Sequence, residues 1–268
     1  MKLLQIEQTP AYVRDNEHVK NGYRPEMSAR RACFSVFELH NETLNIWSHG
    51  ITSIIFMFCL VDFNTLLSGS GQPKWPMNVF ICSAIALFAA SCIFHTMLCV
   101  SESMYTLFRK IDMACISLLM FSMFLPFCVY CFSASTAAAY IAAAFSVSSV
   151  CCVTSMMPVF HTNAFHIYRP MVFGCIGILG LAAILHAGKT SLPADALKLI
   201  GAQLSACIVG AVFYASKWPE RCWQQAISPS MLIKSHVLFH ICIAYGILLY
   251  YRAMLLLFQN SYKDKKRV

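Results

Sequence analysis

The chain is short of charge. Of its 268 residues only 12% are Asp, Glu, Lys or Arg, while 58% are hydrophobic. A soluble domain carries about 25% charged residues, so the composition excludes an ordinary soluble fold and reads as an integral membrane protein. No leader is expected either. The first 45 residues are polar and hold Lys2, Arg14, Lys20, Arg24, Arg30 and Arg31, with no short apolar stretch ending in small residues, so no cleaved signal peptide is expected. The net charge of +8 is scattered. With no basic face on a soluble domain, nucleic-acid binding is excluded. None of the 14 cysteines forms a CxxC pair flanked by a second pair, which excludes a cysteine-rich zinc site and a disulfide framework. Cys82, Cys92, Cys115, Cys151, Cys152 and Cys175 lie in apolar runs and read as buried thiols acting as small hydrophobes. There is no inverted repeat and little charge inside those runs, which argues against a transporter or channel; Asp62 reads as an interfacial charge.

What is present is a series of apolar runs long enough to cross a bilayer, for which about 20 residues suffice. Seven are expected, near 46–67, 76–99, 111–134, 137–159, 170–187, 197–216 and 235–258. The fold class is therefore an all-α bundle of seven transmembrane helices. A polar arm (1–45) precedes it and a short basic tail (259–268) follows. The stretches SGSGQPKWP (68–76), VSESMYTLFRK (100–110), HTNAFHIYRP (161–170), GKTSLPAD (188–195) and KWPERCWQQAISPSMLIK (217–234) separate the runs, and ASTA (134–137) separates two of them only weakly. Pro126 is expected to kink the third span. A cytosolic N-terminus places twelve basic residues on the inner side: the six of the arm, Arg109, Lys110, Arg169, Lys217, Arg221 and Lys234. Lys74, Lys189 and Lys198 then lie outside, together with Arg252 and the basic tail. The short loops and the first helix favour this orientation. It puts the glycosylation acceptor Asn41 in the cytosol, where it should stay unmodified.

Seven spans impose a parity. His95, near the end of the second, Asp112, near the start of the third, and His236 and His240, at the start of the seventh, all fall on one side of the membrane. His236 and His240 stand four apart and share a helix face. Three imidazoles suit zinc and leave a fourth position for water, which a nearby carboxylate can orient or deprotonate. Asp112 fits that role, and Ser91, one turn before His95, can add a hydrogen bond. The other reading is that these are unrelated interfacial groups, with Asp112 capping the third span. A second cluster, ELHNETLNIWSHG (38–50), opens the first span. Glu38, Asn41 and Glu42 suit a helix cap, Trp47 suits the interface, and Asn45 and His49 share a face.

The motifs NGYRP (21–25), FELHNETLNIWSHG (37–50), SCIFH (91–95) followed by Asp112, SKWPER (216–221) and SHVLFH (235–240) resemble the progestin and adipoQ receptor family, related to haemolysin III, over roughly residues 7–258. That resemblance implies a cytosolic N-terminus and a zinc ion held by His95, His236 and His240. It implies that Asp112 holds the water and that Ser91 is the motif serine. NIWSH and FYASKWPER look most like the family's Golgi-resident, Raf-kinase-trapping branch, which favours the Golgi membrane over the plasma membrane. Two functions follow from the resemblance. One is a receptor-like signalling protein or scaffold whose arm and loops engage cytosolic signalling proteins. The other is a zinc-dependent amide hydrolase acting on ceramide-like lipids. A sphingolipid or steroid-like molecule is the implied ligand. Two departures stand out: the loop after PER lacks the family's Pro-Gly, and Val237 replaces a glutamine.

Overall fold

The structure, a computed structural model, describes residues 1–66, 72–165, 167–188, 192–222 and 232–265. A short helix, α1 (Ala29–Ser35), precedes seven long ones: α2 (Thr43–Leu66), α3 (Trp75–Met97), α4 (Glu102–Cys131), α5 (Ala134–Met156), α6 (Tyr168–Gly188), α7 (Ala194–Ser216) and α8 (Ser235–Lys265). Helices α2 to α8 are each long and apolar enough to cross a membrane. Among the described residues there is no β-strand, only an isolated bridge between Leu4 and Tyr23 in the arm. The chain is thus an all-α, multi-pass membrane protein with seven spans.

Helix starts follow local chemistry. Ser28, Ser101 and Ser133 cap α1, α4 and α5 by accepting from Arg31, Met104 and Thr136 backbone N–H groups. Pro76 sits in the first turn of α3, where its missing N–H costs nothing. The break expected weakly at ASTA (134–137) lies just before it: α4 ends at Cys131, Ser133 caps α5, and ASTA forms the first turn of α5. Helix α4 runs through Pro126.

Two expectations are corrected. The stretch 100–110 is not a connector. Ser101 starts α4 there, so α4 has 30 residues and its first turns extend past the apolar segment. Hydropathy marks where a helix meets lipid and is blind to its extension beyond. The same finding removes the reading of Asp112 as a cap, since it lies ten residues into α4. The thiols are also not uniformly inward: Cys151 is buried, but Cys82 and Cys175 are exposed on their spans and Cys92, Cys115 and Cys152 are partly so. A thiol is apolar enough to face lipid as readily as a core.

Helix α8 is the hub. It packs on α7, α2, α4 and α3, while α2 to α6 follow one another in contact. At the end of the bundle away from the histidines, aromatic rings fill the core between α2, α3 and α8. Phe56 stacks on Phe88 at 5.7 Å, Phe80 meets Tyr250 at 5.2 Å, and Phe63 meets Phe258 at 5.2 Å. Helices α7 and α8 approach closely because Gly210 faces α8: a Cβ there would sit 2.9 Å from the Cys242 Cβ. Small residues at such crossings let backbones pack where lipid offers no hydrophobic drive.

Gly210→Ala should therefore destabilise the protein by about 1–3 kcal/mol. Gly201→Ala, where nothing lies within 4 Å, should be neutral or stabilising by up to about 1 kcal/mol. Thermal unfolding in detergent checks both; equal effects would refute the close crossing.

Candidate metal centre

The segment between the arm and α2 folds as a hydrogen-bonded knot. His40 N–H donates to Thr43 Oγ1 at 2.9 Å, and Thr43 Oγ1 donates to Glu38 O at 2.9 Å. The His40 ring bonds Ser35 O through Nε2 at 3.1 Å and accepts from Glu42 N–H through Nδ1 at 3.1 Å. Asn41 N–H donates to the carbonyl of Gly22, whose φ of 86° requires a residue without Cβ. Asn41 is itself buried, which shields the glycosylation acceptor whichever side it faces.

This knot aims the Glu42 side chain inward. Read as a cap, Glu42 instead bonds no backbone N–H. Its Oε2 meets His95 Nδ1 at 2.7 Å and accepts from Asn45 Nδ2 at 2.6 Å, and its Oε1 accepts from Lys234 Nζ at 2.8 Å. Lys234 and His95 are both buried. Burial alone would raise the Glu42 carboxyl, but the Lys234 ammonium and the His95 hydrogen bond overcome it and hold the group well below the usual carboxylate range. His95 Nε2 is buried with no hydrogen-bond partner among the described residues; an imidazole that donates to the carboxylate through Nδ1 presents its other nitrogen as an acceptor.

That Nε2 does not stand alone. One ring nitrogen each from His95, His236 and His240 lie within 4.8 Å of one another, a spacing that can hold a metal ion. Ring centroids are 5.2 Å (His95–His236), 5.0 Å (His95–His240) and 4.5 Å (His236–His240) apart. His240 Nδ1 lies 3.3 Å from the Ser48 hydroxyl, which leaves its Nε2 for the cluster. His49 stacks on His240 at 3.6 Å with the rings 12° from parallel, and Phe88 meets His49 edge-on at 5.0 Å. The three histidines predicted by parity and spacing are thus brought together. Asp112 is buried but is not one of the grouped ligands; its neighbours are the Ser91 hydroxyl and the Arg109 guanidinium. Val237 is buried in the first turn of α8. The altered loop lies largely outside the described residues, at 223–231.

Two further anchors hold the cluster's supports. Arg24, buried in the arm, donates to His95 O at 2.5 Å, Thr96 O at 3.0 Å and Ser35 Oγ at 2.8 Å. It thereby satisfies carbonyls at the C-terminal end of α3, where a cation also suits the helix dipole. Glu220 accepts from Ser235 N–H at 2.7 Å and Ser235 Oγ at 2.5 Å, so it caps α8 one residue before His236, and it accepts from Asn16 of the arm at 2.8 Å. The sequence reading missed Glu42, Lys234, Arg24 and Glu220. Three of them lie in short motifs named above, Arg24 in NGYRP, Glu42 in FELHNETLNIWSHG and Glu220 in SKWPER, and Lys234 directly precedes SHVLFH.

Two outcomes follow from this geometry. A carboxylate that orients a ligand histidine supports metal affinity by about 10- to 100-fold. Glu42→Gln should weaken metal binding by that factor in competition with a chromogenic chelator, and the more exposed Glu38→Gln should not; equal affinities would refute the role of Glu42. The second concerns acid. Burial, then the Arg24 guanidinium beside it, pull the His40 pKa from its ordinary 6.5 to about 4. The unfolded chain therefore takes up a proton that folded His40 refuses between those values. Its stabilisation is complete above pH 6.5 and is lost as pH falls from 6.5 towards 4. Melts of chelator-treated protein should show the wild type losing more stability over that window than His40→Gln; parallel profiles would refute the assignment.

A sequence profile of the haemolysin-III related family matches residues 37–251. The chain is 29% identical to heptahelical transmembrane protein 1 of Arabidopsis thaliana, over 95% of this chain and 81% of that protein. It is 31% identical to progestin and adipoQ receptor-like protein 1 of Caenorhabditis elegans, over 93% of this chain. It is 29% identical to the adiponectin receptor protein of Drosophila melanogaster, over 94%. It spans 59% of the length of each of these two animal proteins. The profile covers the first-span cluster, all seven spans' cores and the three histidines, and the resemblance carried by the short motifs points the same way: the chain belongs to the haemolysin-III related family, the family of the progestin and adipoQ receptor-like proteins.

Proposed function

We propose that this protein is a receptor-like signalling protein or membrane scaffold whose bundle holds a zinc ion on His95, His236 and His240. The observation that carries this reading is the gathering of three ring nitrogens within 4.8 Å, from the buried His95 and His240 and the half-buried His236, on helices far apart in sequence. The donor set fits the ion: three neutral imidazoles are a common zinc complement, and His95 Nε2 is a buried acceptor with no protein partner among the described residues. The twelve basic residues on the arm side support a cytosolic N-terminus. The arm and adjoining loops then face cytosolic signalling proteins, and the ligand is a membrane lipid of sphingolipid or steroid type. Relatives named as receptors support the signalling reading. The likeness of residues 213–221 to the Golgi-resident branch favours the Golgi membrane.

A second reading, an amide hydrolase acting on ceramide-like lipids, is favoured by Asp112. It is a buried carboxylate with the Ser91 hydroxyl as neighbour, and Ser91 lies one turn from His95. A zinc ion in the cluster would supply Lewis-acid polarisation. Asp112 would take a proton at its carboxylate oxygen, Ser91 would orient that carboxylate, and the surrounding apolar spans would exclude bulk water.

Detergent-purified protein should contain about one zinc per chain, and His236→Ala with His240→Ala should lose it. Unchanged zinc in that variant would refute the site. Asp112→Ala should keep zinc and partner recruitment. Ceramide turnover by the wild type that disappears in Asp112→Ala would establish the hydrolase; no turnover in either would leave the receptor reading.

A further inference from the structure

Helix α1 turns its apolar side away from the bundle. Ala32 and Ser35 face inward, fully buried, with Ser35 accepting from Arg24. The opposite face carries Arg30 and Phe34, four residues apart, and Phe37 and Leu39 follow in the turn after the helix. Phe34 is 57% exposed, Phe37 77% and Leu39 67%. Contiguous exposed apolar groups of this kind mark an interaction surface, since water does not tolerate them without cost.

The patch is continuous with the outward stripe of the first span. The Phe37 ring lies 5.9 Å from the Trp47 ring. Trp47 Nε1 donates to Val36 O at 2.8 Å, which fixes the patch to α2. Trp47 heads a line of exposed residues, Ile51, Ile54 and Phe58, on α2. Those side chains belong to a helix long and apolar enough to cross a membrane, so they face hydrocarbon, and Trp47 stands where the headgroups begin. Arginines border the patch. The Arg30 guanidinium lies 6.0 Å from the Phe34 ring centre, and Arg31 pairs with Glu38 at 2.5 Å.

We infer that α1 and the turn after it form an in-plane membrane anchor: Phe34, Phe37 and Leu39 enter the leaflet beside the first span, and Arg30 meets the phosphates of anionic lipids. The occupant is lipid because the patch extends a lipid-facing stripe without a gap and has a cation at its rim. Burying such rings in the headgroup–acyl boundary is the ordinary action of an interfacial amphipathic helix. The anchor is independent of the metal centre. It holds the start of α2, and with it the knot at residues 38–43, at a defined depth.

Photo-crosslinking tests it on the full chain. Benzoylphenylalanine is placed at Phe37, at Phe58 as the lipid-facing control and at the exposed Glu102 as the water-facing control. The proteins are reconstituted in vesicles of equal parts phosphatidylcholine and phosphatidylserine and irradiated. The Phe37 position should yield phospholipid adducts at the level of Phe58 and well above Glu102. The adducts should favour phosphatidylserine by about fivefold, and Arg30→Gln should bring that ratio close to one. Undiminished Phe58 adducts in each variant show that the bundle is intact. Phe37 adducts to another protein chain, or lipid adducts no higher than at Glu102, would overturn the anchor. A wild-type ratio of one would overturn the role given to Arg30.

Discussion

A carboxylate buried at the mouth of a helix bundle must be matched charge for charge, and the match at Glu42 organises everything around the histidines. Lys234 supplies the opposite charge, and His95 and Asn45 supply further hydrogen bonds. Removing one partner of such a pair leaves a buried charge uncompensated, at a cost of about 3–5 kcal/mol. The four residues come from three places: the knot before α2 and its first turn, the end of α3, and the residue before α8. The bond network therefore fixes the relative position of three helices at one level. That level is where His95, His236 and His240 gather.

The arm belongs to this arrangement. Arg24 closes the C-terminal end of α3 at the carbonyl of His95 itself, and Glu220, held by Asn16, caps α8 beside His236. Each of the short motifs scattered along the chain has a place in one contiguous structure. NGYRP supplies Gly22 and Arg24, HNET supplies Glu42, NIWSH supplies Ser48 and His49 around His240, and SKWPER supplies Glu220. Their wide separation in sequence reflects the threading of seven helices, and their clustering reflects what a buried polar centre requires.

The legible parts of this structure were those written in one dimension. Seven apolar runs gave seven helices because a bilayer demands a minimum length of apolar chain. Parity, with the four-residue spacing of His236 and His240, placed the histidines together without knowledge of any contact. The start of α4 was not legible from hydropathy, because its first turns lie beyond the apolar segment; the signal was the Ser101 cap. Glu42 was harder still. An acidic residue at the start of a helix reads as a cap, and only Lys234, 192 residues away, distinguishes a buried bridging carboxylate from an ordinary one. Local pattern cannot carry that distinction, since both roles use the same residue type at the same position.

The balance between the two ends of the bundle explains why the polar end can stay ordered. At the far end, Phe56, Phe63, Phe80, Phe88 and Phe258 lock α2, α3 and α8 by ring packing. The same three helices carry the histidines and their partners at the other end. Phe88 joins the two regions directly, stacked on Phe56 on one side and meeting His49 on the other, while His49 lies flat against His240. An imidazole whose ring is clamped in this way and whose Nδ1 meets the Ser48 hydroxyl has little freedom left. Its remaining nitrogen is held in place before any ligand arrives, and a centre built so needs little reorganisation to bind one. The packing of apolar rings in the membrane core thus sets the precision of a polar site that contains none of them.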